Sequence, residues 1–250
     1  MIYQYLLDTN IIIKFPLMTA TLLPTLPLTM PPLENGDRLP RAEFERRYQA
    51  MPQVKKAELI DGIVYMASPL RAKSHGEPHA CIIGWLALYK AATPGIGLYD
   101  NATVRLDAEN EPQPDALLRI ESGGQSQLSD DDYIEGAPEL IVEIAASSVS
   151  IDLGEKRDAY CRNGVQEYLV WRVYDRAIDW FRLKDGTYVQ LAADDAGILR
   201  SEIFPGLWLD CPALLSGDLA QVLAVLQQGL ATRAHQALVQ TLSTLGTETD

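Results

Sequence analysis

The sequence predicts an α/β fold, a mixed β-sheet flanked by helices and followed by a helical C-terminal tail. Three observations carry this. Short β-branched or apolar runs are interspersed unevenly with stretches of helical periodicity, which suits a mixed sheet. The chain has 250 residues, enough to bury a core without disulfide or metal staples. Apolar residues make up 47% and charged residues 22%, an ordinary balance for a globular chain and one that argues against wholesale disorder.

The elements follow in order. Phe15 to Leu33 carries no charge over 19 residues, a membrane-span length, but Pro16, Pro24, Pro27, Pro31 and Pro32 make a continuous helix improbable. Residues 1–34 therefore read as a loose Pro-rich leader. Arg41 to Tyr48 reads as a short helix after Pro40. Ala57 to Met66 reads as a hairpin turning at Asp61-Gly62. Glu77 to Ala92 reads as a helix, with Ile82, Ile83, Leu86 and Tyr89 on one side and Thr93-Pro94-Gly95 as its stop. Leu98 to Leu106 and Asp115 to Ile120 are strand candidates, separated from a buried strand at Leu140 to Ala145 by a polar loop, Ser122 to Tyr133. Leu153 to Asn163 reads as a helix closed by Gly164. Tyr168 to Val173, Ala177 to Leu183 and Tyr188 to Ala192 form a meander with a Lys184-Asp185-Gly186 turn. Leu219, Val222, Leu223, Leu226 and Leu230 follow helical spacing. Residues 35–212 are the expected main domain, and 213–250 the helical tail.

Composition narrows the function. Cys81, Cys161 and Cys211 lie far apart with no CxxC pair, which excludes a disulfide framework or a Cys-rich zinc site and suits a reducing cytoplasm. With only His75, His79 and His235, a multi-histidine metal centre is not expected. A metal here is expected on carboxylates, which favours Mg2+ or Mn2+. The net charge of −13 disfavours non-specific coating of DNA, but it is uneven. Leu106 to Glu139 holds ten acids and one base, whereas Arg38 to Lys73 holds eight bases and four acids, a strip able to meet phosphates.

The informative chemistry lies between Pro114 and Tyr168. Glu143 sits inside the apolar strand Glu139-Leu-Ile-Val-Glu143-Ile-Ala145, where an ionised carboxylate is costly unless paired or metal-bound. Asp115 begins another apolar run, Ala116-Leu117-Leu118. Two such acids on adjacent strands can converge on one divalent cation, which binds a scissile phosphate and lowers the pKa of a bound water.

These stretches resemble the PD-(D/E)xK nuclease superfamily, and within it the Uma-type family of restriction-endonuclease-like proteins. The match runs through Ala57-Glu58-Leu59-Ile60-Asp61-Gly62, Met66-Ala67-Ser68-Pro69, His75, Pro114-Asp115, Pro138 to Ile144, Asp152 with Lys156 and Tyr160, and Gly164 to Val170. The resemblance implies a restriction-endonuclease-like sheet and Mg2+-dependent hydrolysis of DNA phosphodiester bonds. It implies that Asp115 and Glu143 bind metal, that Glu58 is a third acid binding or orienting the metal or its water, and that Lys156 activates water from the following helix. One departure stands out. The usual lysine would lie two residues after Glu143, on the same strand face, and that position is Ala145.

Each residue also has a plainer reading. Asp115 can be a strand-start acid, Glu58 a hairpin surface acid, and Lys156 part of the solvated helix face Glu155-Lys156-Arg157-Asp158. His75 precedes a helix and caps it or touches a phosphate; Tyr160 supports Lys156 or packs; Asp152 is expected to cap the helix. Trp85, Trp171, Trp180 and Trp208 read as core, and Asp130-Asp131-Asp132 as a solvated loop. Tyr5 to Ile11 resembles the opening strand of a PIN-domain ribonuclease over about ten residues. Two non-catalytic alternatives remain at this stage. One is an inactive nuclease-fold module binding nucleic acid or protein; the other is an oligomer, a homodimer for example, built through the helix at 219–230.

Overall fold

The protein, seen in a computed structural model, is described over residues 30–247. The sequence motif at Tyr5 to Ile11 and most of the Pro-rich leader lie outside the described residues. The unit from Pro32 onward holds every element named below.

In chain order these are α1 (Arg41–Gln49), β1 (Ala57–Ile60), β2 (Ile63–Met66), a π-turn (Ala72–Gly76) running into α2 (Glu77–Ala92), β3 (Ile96–Asp100), β4 (Val104–Arg105), β5 (Ala116–Ile120), β6 (Gln127–Leu128), β7 (Ile134–Glu135) and β8 (Leu140–Ala145). There follow α3 (Val149–Ile151), a second π-turn (Asp152–Lys156) running into α4 (Arg157–Arg162), β9 (Glu167–Arg172), β10 (Ala177–Lys184), β11 (Thr187–Gln190), β12 (Ile198–Arg200), β13 (Trp208–Asp210), α5 (Cys211–Ser216), α6 (Leu219–Leu230) and α7 (Arg233–Thr247).

Six strands form the central sheet in the order β11-β10-β9-β8-β5-β3. Only β8 and β9 run parallel; the other neighbours are antiparallel. The single parallel pair needs a crossover, supplied by the chain from α3 to α4. Strand alternation divides β8 cleanly. Leu140, Val142 and Ile144 face a core built with Trp85, Leu86 and Tyr89 of α2 and Val222 and Leu226 of α6. Ile141 and Ala145 face the other core, with Tyr160, Val165 and Tyr168. Glu143 shares the face of Ile141 and Ala145 by the same period of two.

Both Asp-Gly turns take left-handed backbone at two consecutive residues, Asp61 with Gly62 and Asp185 with Gly186. That is the two-residue hairpin geometry that Asp-Gly favours, and it sets Ile60 opposite Ile63 and Lys184 opposite Thr187.

The structure departs from the sequence reading in four places. The expected strand from Leu98 to Leu106 is broken, because Asn101 takes left-handed backbone and ends β3 before β4 begins. The expected helix from Leu153 to Asn163 starts earlier, at Val149, and passes through a π-turn kinked at Gly154. Asp152 caps no helix: it lies inside that turn, where its carboxylate accepts from Ser148 Oγ at 2.6 Å. The polar loop contains β6, and β12, β13, α5 and α7 add elements beyond Ala192.

The apolar side of α6 is covered within the chain itself, with Val222, Val225 and Leu226 buried. His235 of α7 ties to α2 through Thr93 Oγ1, 2.9 Å away. No helix among the described residues is long and apolar enough to cross a membrane. Trp85, Trp171 and Trp180 are core residues, while Trp208 carries the Arg200 guanidinium over its ring.

Candidate active site

Register brings the two strand acids together. Ala116 of β5 pairs with Val142 of β8. One step further along this antiparallel pair, Asp115 falls opposite Glu143. Its Oδ2 accepts the Ile144 backbone N–H at 2.8 Å, which fixes the carboxylate against β8.

Glu143 is 3% exposed. Its Oε1 accepts from Lys156 Nζ and from the Tyr160 hydroxyl, each at 3.0 Å. Lys156, 5% exposed, also lies 2.9 Å from Glu58 Oε1 and 3.7 Å from Asp152 Oδ1. The second π-turn makes this possible by directing Lys156 inward toward β8 while Arg157 and Asp158 pair with each other outside. Such turns recur at functional sites.

Glu58 arrives from the β1–β2 hairpin. A bridge between Leu59 and Glu111 holds the hairpin against the segment before Asp115, and the Gln113 N–H donates to Glu58 Oε1 at 2.8 Å. At the hairpin turn, Asp61 pairs with Arg162 at the end of α4. The helix carrying Lys156 and the strand carrying Glu58 are therefore tied together at two points.

On the open side, the first π-turn delivers His75. Its Nε2 lies 3.3 Å from Asp115 Oδ1, and Lys56 Nζ lies 3.5 Å from the same oxygen. His75 Nδ1 is buried without a hydrogen-bond partner among the described residues. His79, one turn later, sets Nε2 2.8 Å from the Asp115 carbonyl oxygen.

The two acids of the sheet are tuned in opposite directions. Burial works against the Asp115 carboxylate, but the hydrogen bond with His75 and the Lys56 ammonium outweigh it and hold its pKa at about 2. Burial pushes Glu143 up to about 8; Lys156 opposes this, and the carboxylates of Asp115, Asp152 and Glu58 add to the rise. Burial also disfavours the Lys156 ammonium, yet Glu143, Glu58 and Asp152 more than reverse it, so its pKa lies well above the ordinary lysine value. Asp152 is raised by burial and by its acidic neighbours.

Three acids, Glu58, Glu143 and Asp152, thus surround one buried ammonium, and Asp115 lies beside Glu143 on the neighbouring strand. Among the described residues, no three His, Cys, Asp or Glu side chains converge closely enough to hold a metal unaided. Mg2+ does not require that. It is commonly held by one or two carboxylates, with water and substrate phosphate completing its shell. The hard oxygen donors of Asp115 and Glu143, and the excess of acid around them, fit such a cation.

Sequence reasoning passed over Lys56 and left His79 without a role. No local signal marks Lys56; it becomes visible only when the hairpin docks beside Asp115. Tyr160 proves to hold Glu143. The basic strip is half neutralised: Arg41, Arg46, Arg47 and Lys56 are ion-paired, whereas among the described residues no ion pair is found for Arg38, Lys55, Arg71 or Lys73. The three consecutive acids at 130–132 are exposed, and Asp131 pairs with Arg105.

A model of the Uma2 family, described as "Putative restriction endonuclease", matches residues 41–212. Among solved structures, the chain is similar to one from Anabaena variabilis described as "a putative nuclease belonging to DUF820". The TM-score is 0.52 at 13% identity, covering 68% of this chain and 96% of that one, a likeness of fold. No curated protein matches the chain.

Proposed function

This chain belongs to the Uma2 family of restriction-endonuclease-like proteins, and on that premise we propose that it is a metal-dependent endonuclease hydrolysing DNA phosphodiester bonds. One observation carries the reading: Lys156, arriving from a helix, sets its amine 3.0 Å from Glu143, on the sheet face where Ala145 leaves the usual strand lysine missing.

Asp115 and Glu143 would hold Mg2+, or Mn2+ in its place, with Glu58 beside them. The bound cation supplies Lewis acidity to the phosphate and lowers the pKa of a coordinated water. Lys156 stays protonated, so it serves as a hydrogen-bond donor and charge stabiliser rather than as a base. It orients the attacking water and stabilises negative charge building on the phosphoryl oxygens. Glu58 and Tyr160 fix the partners of that ammonium. His75 and Lys56 keep Asp115 ionised.

Cleavage of plasmid DNA with Mg2+ tests this, comparing wild type with Asp115→Ala and Glu143→Ala. The reading expects cleavage by wild type alone; equal activity in all three proteins overturns it.

Ala145 favours a second reading, a nuclease fold that binds nucleic acid or protein without cutting. Calorimetry with Mg2+ separates the two. A competent site binds the cation, and Glu143→Ala weakens that binding.

A further inference from the structure

Seven consecutive residues, Ala67 to Lys73, are exposed from the end of β2 into the turn that delivers His75. Leu70 within them is 66% exposed. Beside this loop stands Tyr174, 61% exposed, in the turn between β9 and β10. Ser74 and Arg71 act on its hydroxyl and hold the phenol below its ordinary pKa. Arg71 and Lys73 have no ion pair among the described residues. Leu70 and Tyr174 are thus two of the five large apolar side chains left exposed among the described residues, and Arg71 and Lys73, next to Leu70 in the loop, are cations outside any ion pair there.

This place adjoins the site already described. The Arg71 carbonyl accepts the His75 and Gly76 N–H groups, and His75 reaches Asp115. Val173, next to Tyr174, donates to the Ala145 carbonyl, two residues beyond Glu143. Ligands of parallel strands gather at carboxyl ends, and Tyr174 follows the carboxyl end of β9 in the parallel pair of the central sheet.

An aromatic face, an apolar loop and two cations suit an unpaired nucleotide better than an intact duplex. Binding a duplex through its phosphates needs many cations, and this protein carries a net charge of −13. Base–aromatic stacking is strong enough to make up the shortfall, because each stacked base contributes about one to two orders of magnitude in affinity.

We propose that Tyr174 and the 67–73 loop form a stacking platform for an unpaired stretch of nucleic acid, holding a single strand or frayed end across the carboxylates. This deepens the nuclease reading and rests on it: the substrate class becomes DNA with a single-stranded segment.

The test is fluorescence anisotropy with a labelled 20-nucleotide single strand and the matching blunt duplex, with Ca2+ replacing Mg2+. The single strand is expected to bind about tenfold more tightly than the duplex. Tyr174→Ala should weaken single-strand binding about tenfold and Tyr174→Phe by no more than about twofold. The salt slope should be shallow, about −1 to −2 on logarithmic axes, as two phosphate contacts imply. A 2-aminopurine strand should be quenched by wild type and by Tyr174→Phe only. Equal binding by Tyr174→Ala overturns the platform, as does a preference for duplex or no binding of either probe. Each of those results leaves the nuclease reading to be decided by the cleavage comparison of Asp115→Ala and Glu143→Ala.

Discussion

The π-turn that delivers His75 and the π-turn that delivers Lys156 differ in what surrounds the nitrogen each one brings to the sheet. Lys156 is sealed among Glu58, Glu143 and Asp152. His75 stands at the rim against one carboxylate, Asp115, with Lys56 alongside. The sealed side carries more acid than cation, and Glu143 holds its proton up to about pH 8. The rim side sets a lysine ammonium and an imidazole against one carboxylate, and Asp115 is ionised down to about pH 2. Neighbouring acids with their pKa values pushed apart have separate roles. On the proposed nuclease reading, Asp115 is the standing anion, and Glu143 is the group whose ionisation waits for a cation.

The largest expected effect breaks the sealed side. Lys156→Met leaves the surrounding carboxylates without their buried ammonium. Removing one partner of a buried ion pair costs about 3–5 kcal/mol. Urea denaturation should show a lowered midpoint at pH 8, with part of the loss recovered near pH 5, where Glu143 carries its proton. A midpoint equal to wild type at both pH values would mean that the ammonium is not held as described.

Metal affinity sharpens the contrast next. Below pH 8 a cation binding at Glu143 must displace a proton. Apparent Mg2+ affinity should therefore rise about tenfold per pH unit from 6 to 8 and flatten above. Calorimetry in buffers of differing ionisation heat should show about one proton released at pH 7. Binding independent of pH would contradict the raised Glu143 pKa. Stripping the cation with EDTA should abolish cleavage.

His75→Ala tests the rim. Asp115 keeps Lys56 and the Ile144 N–H, so the change is milder. Loss of an outer partner of a metal-binding group typically costs about 10–100-fold in affinity or activity. Cleavage should fall within that range while the melting temperature stays near wild type. A collapse in stability would recast His75 as a structural residue.

The smallest effect lies beyond the site. Glu111 is buried, its Oε2 lacks a partner, and burial together with Glu45 raises its pKa from 4.5 to about 8. Below pH 4.5 it is protonated in folded and unfolded chains alike. Between 4.5 and about 8 the unfolded chain gives up the proton that the folded chain keeps, so stability falls as pH rises. Glu111→Gln should remove that decline and add about 1–3 kcal/mol at pH 8, with no gain at pH 4. Equal gains at both pH values would point to packing rather than titration.

Much of this arrangement was legible in the residues. Period-two alternation placed Glu143 among apolar neighbours, and both Asp-Gly pairs turned their hairpins where expected. The Glu77–Ala92 helix and the helix from Leu219 followed their apolar spacing. What escaped depends on contacts distant in sequence. Lys56 meets Asp115 only after the hairpin docks through Leu59 and Glu111. Asp152 read as a cap because acids often precede helices, but the π-turn carries it inside the helical run, beside Lys156. The basic strip read as one surface because sequence counts charges without their partners, and Glu43 alone engages both Arg46 and Arg47. The left-handed backbone at Asn101 left no mark in the hydrophobic pattern.

The most direct measurement of the central claim is the single-turnover rate of DNA cleavage with Mg2+ at pH 8 for wild type, Lys156→Ala, and Lys156→Ala combined with Ala145→Lys. Loss of a charge-stabilising donor should slow Lys156→Ala by about 100- to 1,000-fold, and the lysine moved to the strand should restore at least part of that rate. Cleavage by Lys156→Ala at the wild-type rate would contradict the account.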